Sequence, residues 1–302
     1  MNGVINFYKP PGMTSAQAVA FVKRLTGVKT GHAGTLDPEA AGVLPILLGR
    51  ATRLCDELMG KPKQYLAELA FGAATDTQDA QGRLVASGDD YPDIDKLRAL
   101  LPQFVGLVQQ LPPQYSALKV KGKTAYKLAR EGMEADLKPR EVYFESIELI
   151  RELPSHGFLL RVRCGKGAYL RTLCHDLGTA LGCPAHLRFL LREESGGLRI
   201  ERAVTPEELL SLHQDDEKTN HSMVLPVGEV LRHLPAFQVP PSLFTPAING
   251  VPLPPEAVDG FSTTKHSRVC LFAGERLIGI YELKEGLLRV QAMFYEPEQP
   301  GI

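Results

Sequence analysis

The stretch GHAGTLDPEAAGVL, residues 31–44, sets a carboxylate, Asp37, between glycines and an apolar run, with His32 five residues before it. Once ionised, such a group can attack carbon or take a proton, which makes it a candidate nucleophile or base. By itself an aspartate before Pro38 is a turn or N-cap residue, and His32 a loop hydrogen-bonder. Arg171 is the second group of interest. It falls in the first turn of the helix read from AYLRTLCHDLGTALG, where a cation opposes the helix dipole by about 0.3–1 kcal/mol at an exposed site. A carboxylate opposite removes that conflict, because guanidinium and helix N-terminus then hold one anion between them. Spacing admits Asp37 and Glu39 equally. Tyr65, Tyr169 and Leu190, each taken singly, read as packing residues.

Several familiar chemistries lack their residues. Gly122-Lys123-Thr124 resembles the end of a phosphate loop, but that pattern needs glycine at 117, where this chain has Ala117. GKGAYL supplies two glycines of a dinucleotide fingerprint and then Leu170, and neither H-E-x-x-H nor G-x-S-x-G occurs. The five cysteines, Cys55, Cys164, Cys174, Cys183 and Cys270, form no C-x-x-C pair, so neither a disulfide framework nor a metal site is expected. No apolar run reaches the roughly 18 residues of a membrane span, and the N-terminus lacks the layout of a secretory signal. A cytoplasmic protein without a membrane partner is expected.

A net charge of −1 argues against a uniformly basic coat but leaves room for local patches. Lys119, Lys121, Lys123, Lys127 and Arg130 run without an acid between them; Arg161, Arg163, Lys166 and Arg171 follow, then His186, Arg188, Arg192, Arg199 and Arg202. The acids gather in Asp89 to Asp95 and Glu207 to Glu217. One such cluster reads as a solvated face, whereas several interleaved with tyrosines give nucleic-acid contact equal weight.

Around these groups the patterning predicts their supports. GVINFYKP is a strand closed by a Pro10-Pro11-Gly12 turn, and Thr14 or Ser15 caps a helix with Ala18, Val22 and Leu25 on one face, ended by Gly27. GVLPILLG is a strand followed by a helix from about Ala51 to Met59, which places Asp37 on a loop between elements. KQYLAELAFG alternates as a strand, with Tyr65, Ala67, Leu69 and Phe71 on one face, and ATDTQDAQG is a polar loop. DIDKLRALL and GKTAYKLAREG are helical; REVYFESIELIREL and GFLLRVRC are strands. LSLHQDDEKTNHS lacks apolar periodicity, and from about Pro235 the chain turns to short strands, with Asn249-Gly250 as a hairpin signal. A mixed sheet flanked by helices fits this order.

GVINFYKPPGMTS, GHAGTLDPEAAGVLPILLGRATRL, KQYLAELAFGAATDTQDAQG, QLPPQYSALKVKGKTAYKLAREG and CGKGAYLRTLCHDLGTALGCPAHLRFLLR resemble, in this order, the motifs of the TruB family, the bacterial tRNA pseudouridine-55 synthases. The resemblance spans nearly all of residues 1–200. It implies an α+β, pseudouridine synthase-like fold over residues 1–232, with a mainly antiparallel sheet, and a small all-β, PUA-like domain over residues 233–302. It also implies a reaction in which a T-loop uridine of tRNA is detached at its glycosidic bond, turned in place and rejoined through carbon 5, without cofactor or metal.

Carried onto this chain, the resemblance makes Asp37 the nucleophile and Arg171 its partner, with Tyr65 stacking on the base and assisting proton transfer at carbon 5. His32 occupies the space left by flipped nucleotides, Tyr169 and Leu190 line the uracil pocket, and Lys9 with Pro10 supports the loop. The implied partner is the tRNA T-arm, not DNA, met by a monomer with no obligatory protein partner. Extruding a base costs about a few kcal/mol, and stacking on tyrosine returns about 1–3 kcal/mol. The stretch from Lys119 to Arg130 fits an RNA-gripping insertion, and the glycines of residues 31–44 are expected to let RNA backbone come close.

Whether Asp37 adds to carbon 6, attacks carbon 1′ or acts as a base on the sugar stays open. Other readings are an RNA-folding module, a guide-RNA-dependent relative, and a glycoside hydrolase drawing a second carboxylate from Asp76 or Glu39.

Overall fold

A computed structural model describes residues 1–89, 91–116, 118–120, 122–154, 156–215 and 223–296. GVINFYK forms β1 (Gly3–Lys9), and the turn after it leads into α1 (Ser15–Thr26). Thr14 caps α1 reciprocally: its Oγ1 accepts from Gln17 N–H at 3.1 Å, and Gln17 Oε1 accepts from Thr14 N–H at 2.7 Å. Gly27, in the left-handed region at φ +69°, ends the helix.

β2 (Thr30–His32) and β3 (Ala41–Leu48) bracket the Asp37 loop. The helix expected from Ala51 is divided into a 3₁₀ segment, Gly49–Leu54, and the short α2 (Cys55–Gly60). β4 (Lys63–Phe71) follows, and the stretch read as a polar loop is partly a hairpin of β5 (Ala73–Thr75) and β6 (Leu84–Ser87). After α3 (Ile94–Leu100) and β7 (Gly106–Gln110), the basic stretch folds as a ribbon, β8 (Lys119–Val120) and β9 (Lys123–Thr124), with α4 (Ala125–Arg130). Lys121 lies outside the described residues. Then come β10 (Arg140–Leu153), β11 (Gly157–Cys164), α5 (Leu170–Leu181), β12 (Ala185–Ser195) and β13 (Leu198–Arg199). α6 (Pro206–Asp215) enters the aperiodic stretch, whose remainder, with Glu217, lies outside the described residues. β14 (Val224–Leu225) and α7 (Val227–Val230) follow.

The main sheet runs β14-β1-β3-β12-β4-β11-β10-β7, with β2 on β3 and β13 on β12. Only the β3–β12 pairing in it is parallel, so the mixed, mainly antiparallel sheet expected from the family resemblance is what the chain forms. Its two halves differ in how they are covered. β1 and β3 are buried on both faces: Ile5, Phe7, Leu44 and Ile46 pack with Ala18 and Val22 of α1, while Val4 and Leu47 pack with Leu54, Leu231 and Ile280. Two covered faces account for the unbroken apolar run of β3.

β4, β11 and β10 bury one face, where Tyr65, Leu69, Phe144, Leu160 and Val162 meet Leu173 and Leu177 of α5. On the opposite face Arg161 pairs with Glu193 at 3.1 Å, and Arg163 with Glu145 and Glu194 at 3.0 and 3.1 Å. Arg161 and Arg163 therefore belong to a solvated ion-pair face away from Asp37.

A second sheet, β15 (Ala236–Gln238), β16 (Arg268–Ala273), β17 (Arg276–Lys284) and β18 (Leu287–Met293), is formed by the last part of the chain. Asn249-Gly250 ends α8 (Pro241–Ile248) rather than turning a hairpin; Tyr281 Oη anchors that helix by donating to Ala247 O at 2.7 Å. Among the described residues no helix is long and apolar enough to cross a membrane.

Candidate active site

The Asp37 loop is held through its backbone from three sides. Ser15, at the first turn of α1, accepts from Leu36 N–H at 2.9 Å and donates to Leu36 O at 3.0 Å. Lys9, fully buried at the end of β1, donates from Nζ to Pro10 O, Met13 O and Pro38 O at 2.8, 2.6 and 2.9 Å. Arg192, fully buried on β12, donates to Val43 O, Thr35 O and Gly34 O at 2.7, 3.2 and 3.0 Å. Two cations thus clamp the segment on either side of Asp37, bonding main-chain carbonyls and leaving the carboxylate itself free of them.

Gly42 has a structural reason distinct from the RNA approach expected of it. At φ +112° it pairs with Arg192, and a Cβ there would lie 2.3 Å from Arg192 O. The glycine admits the β12 backbone.

Arg171 stands at the second position of α5, as its place in the sequence required. The α5 N-terminus is fixed by the buried Gln110, whose Oε1 accepts from Tyr169 N–H at 3.0 Å and whose Nε2 donates to Tyr169 O at 3.2 Å. Arg171 Nε lies 3.0 Å from Asp37 Oδ2, which selects Asp37 over Glu39 as its partner. The rest of the guanidinium donates to Thr77 O at 3.3 Å and Tyr115 O at 3.0 Å, with Asp79 Oδ2 at 3.7 Å. Arg171 is buried while the Asp37 side chain is 43% exposed, so a fixed cation presents a carboxylate that a ligand can still reach. Tyr115 is at the root of the basic insertion, and Arg171 thereby joins that insertion to the Asp37 loop.

Asp37 and Arg171 border a cleft of about 270 Å³ whose walls include Tyr65, Tyr169, Leu190 and Arg192. Tyr65 is the third residue of β4, directly across from Val162 and Arg192 on its two neighbours. Burial, opposed by the nearby Arg192, pushes its phenol up to about 12, so it is protonated at neutral pH. Burial likewise raises Tyr169. His32 ends β2 and lines neither this cleft nor the smaller one beside Asp79; burial and Arg192 lower its pKa, keeping the ring neutral at pH 7.

Sequence reasoning passed over two groups here. Asp79 was hidden in a polar loop; Thr77 Oγ1 at 2.6 Å and Gln81 N–H at 3.0 Å aim its carboxyl, and it is the second carboxylate beside Arg171, a place for which the sequence offered no candidate besides Asp37 and Glu39. Asp76 is instead spent on the β5–β6 hairpin, accepting from Arg83 N–H at 2.8 Å. Arg192 was counted among surface cations; it shares a buried face with Leu190, two residues before it, a relation that shows only once β12 is placed.

Lys9 gives the site a pH dependence. Burial lowers its pKa from 10.5 to about 8, with Glu39 opposing and Arg192 assisting. Below about 8 the ammonium serves all three carbonyls; above it one N–H is lost and the hold on Pro38 weakens. The unfolded chain binds more protons between 8 and 10.5, so this group makes the fold more stable, not less, as pH rises through that window. A fall in kcat above about pH 8 without a matching fall in Tm is expected, and parallel pH profiles of turnover and thermal unfolding check it.

Residues 22–170 match the TruB family pseudouridylate synthase N-terminal domain, and residues 171–232 the tRNA pseudouridylate synthase B C-terminal domain. A tRNA pseudouridine synthase B from Pelotomaculum thermopropionicum is 47% identical over 216 residues, covering 69% of this chain and 68% of that one. Its namesake from Bacillus pumilus is 36% identical over an alignment of 311 positions, covering 99% of each. Among solved structures, a Cbf5-Nop10-Gar1 complex shares 26% identity at a TM-score of 0.72, covering 98% of this chain and 84% of that one. An H/ACA RNP bound to a substrate RNA containing 2′-deoxyuridine shares the fold at a TM-score of 0.74, with 24% identity and coverage of 98% and 86%.

Proposed function

This chain belongs to the TruB family of pseudouridylate synthases, and from that premise we propose that it converts a T-loop uridine of tRNA, at position 55, to pseudouridine with Asp37 as the catalytic group. The observation that carries the reading is the Asp37–Arg171 pair, 3.0 Å apart at the edge of a cleft walled by Tyr65, Tyr169 and Leu190. The reaction breaks the N1–C1′ bond, turns the uracil, forms the C5–C1′ bond and moves a proton from carbon 5 to N1, so nothing is gained or lost overall. A carboxylate suffices as the reactive group, whether it adds to carbon 6, attacks carbon 1′ or takes a sugar proton.

Tyr65 and Tyr169 offer ring surfaces for the extruded base, and Leu190 closes the apolar side. Because Tyr65 is a phenol at neutral pH, it can take the carbon-5 proton only while passing its own onward. Tyr65→Phe keeps the stacking surface and removes that route. It should lower kcat about a hundredfold with RNA affinity little changed, measured by steady-state turnover beside direct RNA binding.

We assign His32 to the space left by flipped nucleotides and Lys9 to support of the loop, the latter on the strength of its three carbonyl contacts. The Cbf5 structures are complexes with further proteins. For this chain action alone is proposed: purified protein with a T-arm hairpin transcript should form pseudouridine, and dependence on an added protein or guide RNA would count against it.

A further inference from the structure

Lys63 opens β4 two residues before Tyr65, lies on the same buried face and walls the cleft at Asp37. It is 7% exposed, a burial that an ammonium group tolerates at a cost unless its charge is answered. Its Nζ donates to Met59 O at 2.9 Å and Lys61 O at 3.1 Å, at the end of α2, and its third N–H has no acceptor among the described residues. No carboxylate bears on it. Burial, then Arg192 and Lys166, lower its pKa against the opposing Cys164 thiol.

The rest of the cleft supplies no counter-charge either. Its walls hold Lys63, Lys166, Arg171 and Arg192 against the carboxylate of Asp37, and Asp37 is paired with Arg171. Arg192 spends its guanidinium on the carbonyls of Val43, Thr35 and Gly34. The stem of Lys63 passes beside Gly34, where a Cβ would lie 3.5 Å from Lys63 Cε, three residues before Asp37. Next to the Asp37–Arg171 pair, then, the cleft carries a surplus of positive charge with one buried donor unfilled.

Uracil and ribose are neutral, and the anionic part of a nucleotide is its phosphate. A uridine extruded into this cleft brings its backbone with it. We propose that Lys63 is a substrate-binding residue whose free N–H takes a backbone phosphate flanking the target uridine; the proposal rests on the reading of Asp37 as the catalytic group of a uridine isomerase. Holding that phosphate fixes the sugar relative to Asp37, and the anion supplies the charge that Lys63 lacks in the free protein.

The test uses a T-arm hairpin in which either phosphate flanking the target uridine is replaced by a neutral methylphosphonate. A 2′-deoxyribose precedes that linkage in both the altered RNA and its charged control. Direct binding is measured in the Asp37→Asn background, so that no turnover intervenes. On the charged RNA, Lys63→Met should weaken Kd about tenfold and make the plot of log affinity against log salt shallower by about 0.7, the share of one phosphate on a single strand. Neutralising one of the two phosphates should cost the protein with Lys63 a similar factor, and the Lys63→Met protein less than about twofold. Lys63→Arg, which keeps the charge, should recover part of the affinity and the same dependence on that phosphate. Equal losses on charged and neutral RNAs, the result a purely structural lysine at the end of α2 would give, overturn the proposal. So does a protein with Lys63 that is indifferent to both neutral linkages, a result that stands even where Lys63→Met does not fold. Pseudouridine formation by native protein is scored separately on the unaltered hairpin: its absence refutes the functional reading, while the binding comparison still decides this one.

Discussion

Asp37→Asn is expected to lower the single-turnover rate of pseudouridine formation by about 10⁴-fold or more, the scale on which loss of a central catalytic group is felt. The fold should barely register the change. The loop is fixed through Leu36, Pro38, Gly34 and Thr35 by Ser15, Lys9 and Arg192, none of which bonds the Asp37 carboxylate. The asparagine oxygen can still accept from Arg171, and the lost ion pair involves a side chain 43% exposed, where charge pairing is largely screened. A Tm within about 2 °C of native, together with near-native tRNA affinity, is expected beside the lost chemistry.

Arg171→Met is expected to have the second largest effect, acting on rate and stability together. Its side chain is buried and serves four acceptors: the Asp37 and Asp79 carboxylates and the Thr77 and Tyr115 carbonyls. Methionine fills similar space but leaves those carbonyls without a donor, at about 1–3 kcal/mol in total after relaxation. It also frees Asp37 from the cation that orients it, which should lower kcat about 10²–10³-fold, as for loss of one fixed electrostatic donor. Arg171→Lys returns the charge but not the planar fork, so stability should recover more than rate. Urea midpoints and single-turnover rates on the same preparations make the comparison.

The legible parts of the fold are those where a local pattern and its burial agree. The helix cap at Thr14 or Ser15, which the structure assigns to Thr14, the alternation of β11 and the apolar run of β3 each carry their structure within one segment. The Asp37–Arg171 contact was partly legible for another reason: a cation in a helix's first turn asks for an anion, although spacing left Glu39 as an equal answer until the loop's path was known.

β12 was hidden by its own irregularity. Register shifts between Leu187 and Phe189 and between Arg192 and Glu194 break the alternation that marks a strand, so a central strand reads as scattered charge. Arg192 was lost with it, since one arginine among several looks like surface until its strand is placed between β3 and β4. Asp79 had no local sign, because its relation to Arg171 arises where the segment between β5 and β6 is tied to β12 by the Ala80 N–H to Leu187 O bond. Asn249-Gly250 misled because the same dipeptide ends helices as readily as it turns hairpins.

Tritium release from a T-arm transcript labelled at carbon 5 of its uridine tests the central claim most directly, because that proton leaves only when carbon 5 becomes the point of attachment. Native protein should release tritium in step with pseudouridine formation, and Asp37→Asn, folded and RNA-binding, should release none above background. No release by native protein, or undiminished release by Asp37→Asn, would contradict the account.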